Sequence, residues 1–156
     1  MKQQLTKLLT VLLLLTLCIA AFAACGGDEA DPIGTMQLVL LDGDDATVYE
    51  IPLSELPANT DATGLVRVLD YLQAQDKLTY TIANGMFSQV GPIREDAGAG
   101  IYVYLYTSVA KDLDVSIYAT TIEYDGKTYT NSGVGAEQMT LEDGCVIIVT
   151  TIVFGA

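Results

Sequence analysis

The side chains with which this 156-residue chain could do chemistry are 20 Asp and Glu, nine Tyr and three Cys, and there is no His. The missing imidazole excludes Ser-His-Asp and Cys-His dyads, the H-E-x-x-H zinc site and a His proton shuttle at neutral pH. No catalytic centre is therefore expected. Asp42 and Asp44 are two apart with Asp45 beside them, and carboxylates so spaced can share a hard cation. An EF-hand loop counted from Asp42 would need glycine at its sixth position, where Thr47 stands. The three read as a solvated turn, and Asp112 with Asp114 reads the same way. Any two of 20 carboxylates could be paired for glycosidase chemistry, and none stands out. Gly133-Val134-Gly135 lacks the strand, turn and helix that make a glycine loop bind phosphate.

Of the cysteines, Cys18 lies in an apolar leader and Cys25 follows it, which leaves Cys145 without a disulfide partner. Set in the apolar run 145–149, Cys145 reads as a small buried hydrophobe. One thiol without imidazole is a poor metal site, so neither metal nor bound cofactor is expected.

The tyrosines are more informative. Tyr102, Tyr104 and Tyr106 alternate with Ile101, Val103 and Leu105, and the period of two puts the rings on one strand face and the aliphatic groups on the other. Flat, amphipathic rings with hydroxyl handles suit the stacking of a planar ligand, a sugar or a partner. The alternative is packing against the helix or a loop, with the hydroxyls reaching the rim.

These residues need elements to hold them. Runs 36–41 and 47–53 read as a hairpin joined by a loop of four or five residues around Asp42-Gly43. Leu65, Val68, Leu69 and Leu72 form an i, i+3, i+4, i+7 stripe that predicts one amphipathic helix over 62–75, led in by 57–61. Run 78–83 reads as a strand ending at Asn84-Gly85, and 91–92 and 96–100 as loops. Asp125-Gly126 joins 120–124 to 127–130 in a two-residue hairpin. Run 145–154 suits a largely buried closing strand. This order predicts an α+β domain over 35–156, a β-grasp-like mixed sheet with one packed helix, large enough to need no disulfide.

The amino terminus reads as an address. Lys2 and Lys7 precede the uncharged, Leu-rich run 8–22, which is short for a span and of the right length for a signal peptide over 1–24. Ala23-Ala24 supply the small residues for cleavage before Cys25, which Gly26-Gly27-Asp28-Glu29 follow, an order that resembles the bacterial lipobox. Cys25 is then the lipid acceptor, and residues 25–34 form a tether. Phe22 stands where Leu is usual, and the alternative is ordinary secretory cleavage at Ala21-Phe22-Ala23 with Cys25 a free thiol. Two or more acyl chains give stable anchoring where one is marginal.

The formal charge is −13, and loss of Lys2 and Lys7 with the leader removes two cations and no acid, giving −15. Such a chain repels phosphate backbones, so nucleic acid is not an expected partner. It also repels anionic lipid, so the lipid on Cys25 is the expected hold on the membrane. The expected location is the extracytoplasmic face of the cell membrane.

Leu69-Asp70-Tyr71-Leu72, Asn84-Gly85, the strand region 98–106, Gly133-Val134-Gly135, Met139-Thr140-Leu141 and Asp143-Gly144 before a final strand occur in that order. The arrangement resembles the transcobalamin-like C-terminal domain of many bacterial lipoproteins, over roughly residues 35–154. The resemblance implies a β-grasp-like domain, named after the smaller domain of vertebrate vitamin B12 carriers, where it closes over the corrinoid. It makes a corrinoid or another small molecule the expected ligand of the face bearing Tyr102, Tyr104 and Tyr106. The competing expectation is a protein-interaction or structural module of the envelope, acting through an exposed strand edge or an acidic face.

Overall fold

The computed structural model describes residues 34–154 apart from Asn59. Ala24 and Cys25, and with them the cleavage and lipidation sites, lie outside the described residues.

Strand β1 (Thr35–Asp42) returns as β2 (Asp45–Pro52) through Gly43 and Asp44 alone. The connection is tighter than the four or five residues expected, because Asp42 and Asp45 pair at the end of the ladder and Gly43 takes φ 60°. A glycine accepts that left-handed conformation without a steric cost.

Helix α1 (Gly64–Ala74) carries the stripe as expected, with Leu65, Val68, Leu69 and Leu72 all buried. It begins two residues later than the pattern suggests. The Thr63 side chain does not cap it, and its hydroxyl instead donates to the Glu137 carbonyl at 2.8 Å.

After α1 the chain forms a small antiparallel sheet of β3 (Tyr80–Ala83), β4 (Met86–Val90) and β5 (Ile93–Arg94). Asn84-Gly85 makes the turn between β3 and β4 with φ values of 53° and 80°. Asn-Gly favours a turn with positive φ at both central residues.

The remaining strands are β6 (Ile101–Thr107), β7 (Thr121–Tyr124), β8 (Lys127–Asn131) and β9 (Val146–Val153). With β1 and β2 they make a six-stranded sheet in the order β2-β1-β9-β6-β8-β7. Strands β1 and β9 run parallel, and every other neighbouring pair is antiparallel. Their near-continuous Val, Ile and Leu composition suits strands covered on both faces. The described residues are thus a mixed α+β arrangement, mostly sheet, with one α-helix.

One face of the large sheet presents Met36, Leu38, Leu40, Ile147 and Val149 to the α1 stripe and to Phe87, Val90 and Ile93 of the small sheet. On the opposite face Val39, Ile148, Tyr106 and Tyr129 form a second buried cluster. The turn Ala110–Asp112 is fixed by the buried Asp112 carboxylate, which accepts from the Thr140 amide at 2.6 Å and the Thr140 hydroxyl at 3.1 Å.

Candidate functional site

Strand β6 sends Tyr102, Tyr104 and Tyr106 to the face away from α1, so the helix does not cover them. Their cover comes from the sheet and from Phe154, whose ring lies 5.7 Å from that of Tyr102 and 5.9 Å from that of Tyr104. Tyr106 is only 2% exposed, and its hydroxyl lies 3.1 Å from Thr120 Oγ1. A ring so enclosed is a core element and not a stacking surface. Tyr104 and Tyr102 are half-buried, and burial pushes the Tyr104 hydroxyl above its ordinary pKa, with Tyr106 and Asp114 adding to the effect.

The acidic candidates do not converge. Asp42, Asp44 and Asp45 are exposed around the β1–β2 turn. Asp112 turns inward to Thr140, whereas Asp114 accepts from the Ser116 amide at 2.8 Å and from Asn131 Nδ2 at 3.1 Å. The Ser116 amide first, and Asn131 after it, hold the Asp114 carboxyl below the usual carboxylate range. Among the described residues no group of three or more His, Cys, Asp or Glu side chains is placed to hold a metal ion. Cys145 is 3% exposed, and burial pushes its thiol up. No described helix is long and apolar enough to cross a membrane.

A cleft of about 410 Å³ lies on the other side of β6. Val103 and Leu105 form its floor, Ile82 and Met86 of the β3–β4 hairpin one wall, and Val66 of α1 with the turn Ala136–Gln138 the rest. Glu137 and Gln138 are the polar groups at its edge. Met86 is 62% exposed and Ile82 44%, large apolar side chains left open to solvent beside a concave surface. Mostly apolar walls with a few polar groups are the usual composition of a small-molecule site, and this volume falls in the usual range.

The alternation in 101–106 puts Val103 and Leu105 opposite the tyrosines without marking them as a binding floor, and the apolar pattern of 86–90 does not disclose β4. The signal for β4 was Asn84-Gly85, whose two-residue turn requires a second strand to follow it.

The hairpin wall is tied to the helix at its base. The Tyr80 hydroxyl donates to Asp70 Oδ1 at 2.5 Å, and its ring meets Phe87 edge-on at 6.0 Å. Burial, and then the bond to Asp70, push the Tyr80 hydroxyl from 10.0 to about 12. A group whose pKa rises on folding stabilises the fold below its unfolded value and loses that contribution as pH rises through its folded value. The Tyr80 contribution is therefore present below pH 10 and disappears towards about pH 12. Thermal melts across this window should show wild type losing stability faster than Tyr80→Phe, the gap between them closing at its upper end.

No family model matches the chain, and no curated protein matches it. Among solved structures, the 1.30 Å crystal structure of a protein described as a "putative metal binding protein" from Ruminococcus gnavus is similar at a TM-score of 0.46. The two are 15% identical, and the match covers 76% of this chain and 96% of the other.

Proposed function

We propose that this chain is a lipid-anchored binding module of the extracytoplasmic membrane face whose small-molecule ligand occupies the cleft between the β3–β4 hairpin, β6 and the 136–138 turn. The observation that carries the proposal is the cleft itself, with solvent-exposed Ile82 and Met86 over an apolar floor. The signal peptide over 1–24 and lipid on Cys25 rest on the leader and its resemblance to a lipobox. A β-grasp-like assignment is supported by the β1–β2 hairpin, the helix that follows it, and the parallel pairing of β1 with the last strand. The resemblance to transcobalamin-like domains makes a corrinoid the first ligand to try, with part of its surface in the cleft, whose volume of about 410 Å³ is too small to enclose the whole molecule.

The test is equilibrium dialysis of the full chain against cobalamin and cobinamide at micromolar concentration. Retention is expected, with at least a tenfold loss in Met86→Asp, equivalent to about 1.4 kcal/mol, and no loss in Tyr102→Ser. No retention of either corrinoid overturns the corrinoid assignment, and equal retention by Met86→Asp moves the site elsewhere. A second reading, docking of an extended partner strand, is supported by β2, an eight-residue edge strand with an unbroken register and mostly exposed residues.

A further inference from the structure

Among the described residues the largest concentration of exposed apolar side chains lies on the loop between the Ala110–Asp112 turn and β7. Val115 is 96% exposed, Ile117 91% and Tyr118 78%. Residues 115–120 carry no charge. Large aliphatic side chains are seldom left in water so completely and so close together without something to meet.

The loop is nevertheless held in shape. The Ser116 amide donates to Asp114 Oδ1 at 2.8 Å, the Tyr118 amide to Ser116 Oγ at 3.1 Å, and the Ala119 amide to the Ser116 carbonyl at 3.2 Å. At its two ends the Asp114 amide donates to the Asn131 carbonyl at 2.9 Å and the Thr120 amide to Asn131 Oδ1 at 2.7 Å. Five of the seven N–H groups of 114–120 thus have partners inside the protein, while those of Val115 and Ile117 have none among the described residues and their side chains point out. That combination suits the hydrated headgroup boundary and not the bilayer core, since an unpaired amide is costly where no water can reach it. Tyrosine also favours the boundary between headgroups and acyl chains.

We infer that the 115–118 loop dips into the outer surface of the bilayer to which the chain is anchored, fixing how the domain faces the membrane. The inference rests on the proposed lipid at Cys25. Gly34, where the described residues begin, is nine residues beyond Cys25, and an extended chain of that length reaches at most about 30 Å. A tether that short holds the domain close to the bilayer and raises the effective concentration of lipid at the loop. The negative charge of the chain does not prevent this approach. Asp114, next to the loop in sequence, keeps its charge and is held in the protein by Ser116 and Asn131, so it opposes an anionic surface and not a zwitterionic one, and charges more than about 8 Å away are largely screened at physiological salt.

The chain has no Trp, so Ile117→Trp places one reporter at the loop tip. The lipidated full chain carrying it is reconstituted into phosphatidylcholine vesicles, with flotation reporting the anchor and brominated phosphatidylcholine reporting the loop. The expected result is a blue shift, with quenching severalfold stronger than for Val48→Trp on the edge strand β2. Adding Val115→Asp should abolish most of that quenching without changing the melting temperature. Replacing part of the lipid with phosphatidylglycerol should weaken the signal and not create it. A floating chain whose reporter is neither shifted nor quenched overturns the inference and leaves the anchor standing. A shift that depends on protein concentration and not on vesicles assigns the loop to a second copy of the chain and also overturns it. A chain that does not float overturns the anchor and this inference together.

Discussion

Gly64→Ala is expected to lower the stability of the domain by about 2–6 kcal/mol, from about 1–3 for a side chain forced into left-handed backbone and a similar amount for crowding. Gly64 opens α1 at φ +54°, and a Cβ there would lie 2.7 Å from the Glu137 carbonyl oxygen and press on that of Ala136 as well. Both obstacles are backbone, which cannot rotate aside as a side chain would. The neighbouring bond from the Thr63 hydroxyl to the Glu137 carbonyl pins the same turn to the start of the helix. The alanine must therefore push α1 off the sheet or the 136–138 turn out of the cleft, so ligand retention should fall with stability. Gly43→Ala is the control, since φ is +60° there too but nothing lies within 4 Å of the added carbon. Urea denaturation should show a much larger fall in midpoint for Gly64→Ala than for Gly43→Ala. Equal falls would mean that the approach of 136–137 is not what fixes the start of α1.

This close approach also marks the limit of what the sequence discloses. The α1 stripe was legible because four leucine and valine positions repeat at the helical period, and all four are buried. Asp125-Gly126 was legible because its positive φ values, 49° and 69°, are what an Asp-Gly turn supplies. Strand β4 was legible only through the Asn84-Gly85 turn and not in its own residues, because Ser88 and Gln89 break its apolar character and it pairs only with the short β3 and the two-residue β5. The tyrosine alternation placed three rings on one face, but periodicity says nothing about which face the helix covers. The cleft was least legible, since it joins Val66, Met86, Leu105 and Glu137, which come from four separate stretches of chain. Asp112 shows the same thing in a single residue. Its type and its spacing from Asp114 suggest a solvated pair, and only the fold brings it to Thr140.

Ile148→Ala is expected to destabilise the domain by about 2–5 kcal/mol, as much as Leu69→Ala, although Ile148 faces away from the helix. Ile148 is fully buried, flanked in register by Val39 on β1 and Tyr106 on β6, with Tyr129 in the same cluster. Among the described residues no helix covers this face, and the tyrosine rings themselves exclude water from Val39 and Ile148. Truncating Ile148 leaves a cavity that strands fixed by ladders on both sides cannot close. Were the tyrosine face an open platform for a ligand, its floor would be only partly buried and the truncation would cost far less. Val48→Ala, on the same face but on the edge strand and 43% exposed, should stay within about 0.5 kcal/mol of wild type. Tyr106→Phe should lose only the bond to Thr120, about 1 kcal/mol, because the ring remains as cover. Midpoints from urea titrations of the four variants decide the matter. If Ile148→Ala behaves like Val48→Ala, the tyrosines are not sealing a core and become available again as a binding surface. If it behaves like Leu69→Ala, the ladder's regularity reflects the need to close a sheet on its uncovered side, and the cleft behind β6 is left as the better site for a small molecule.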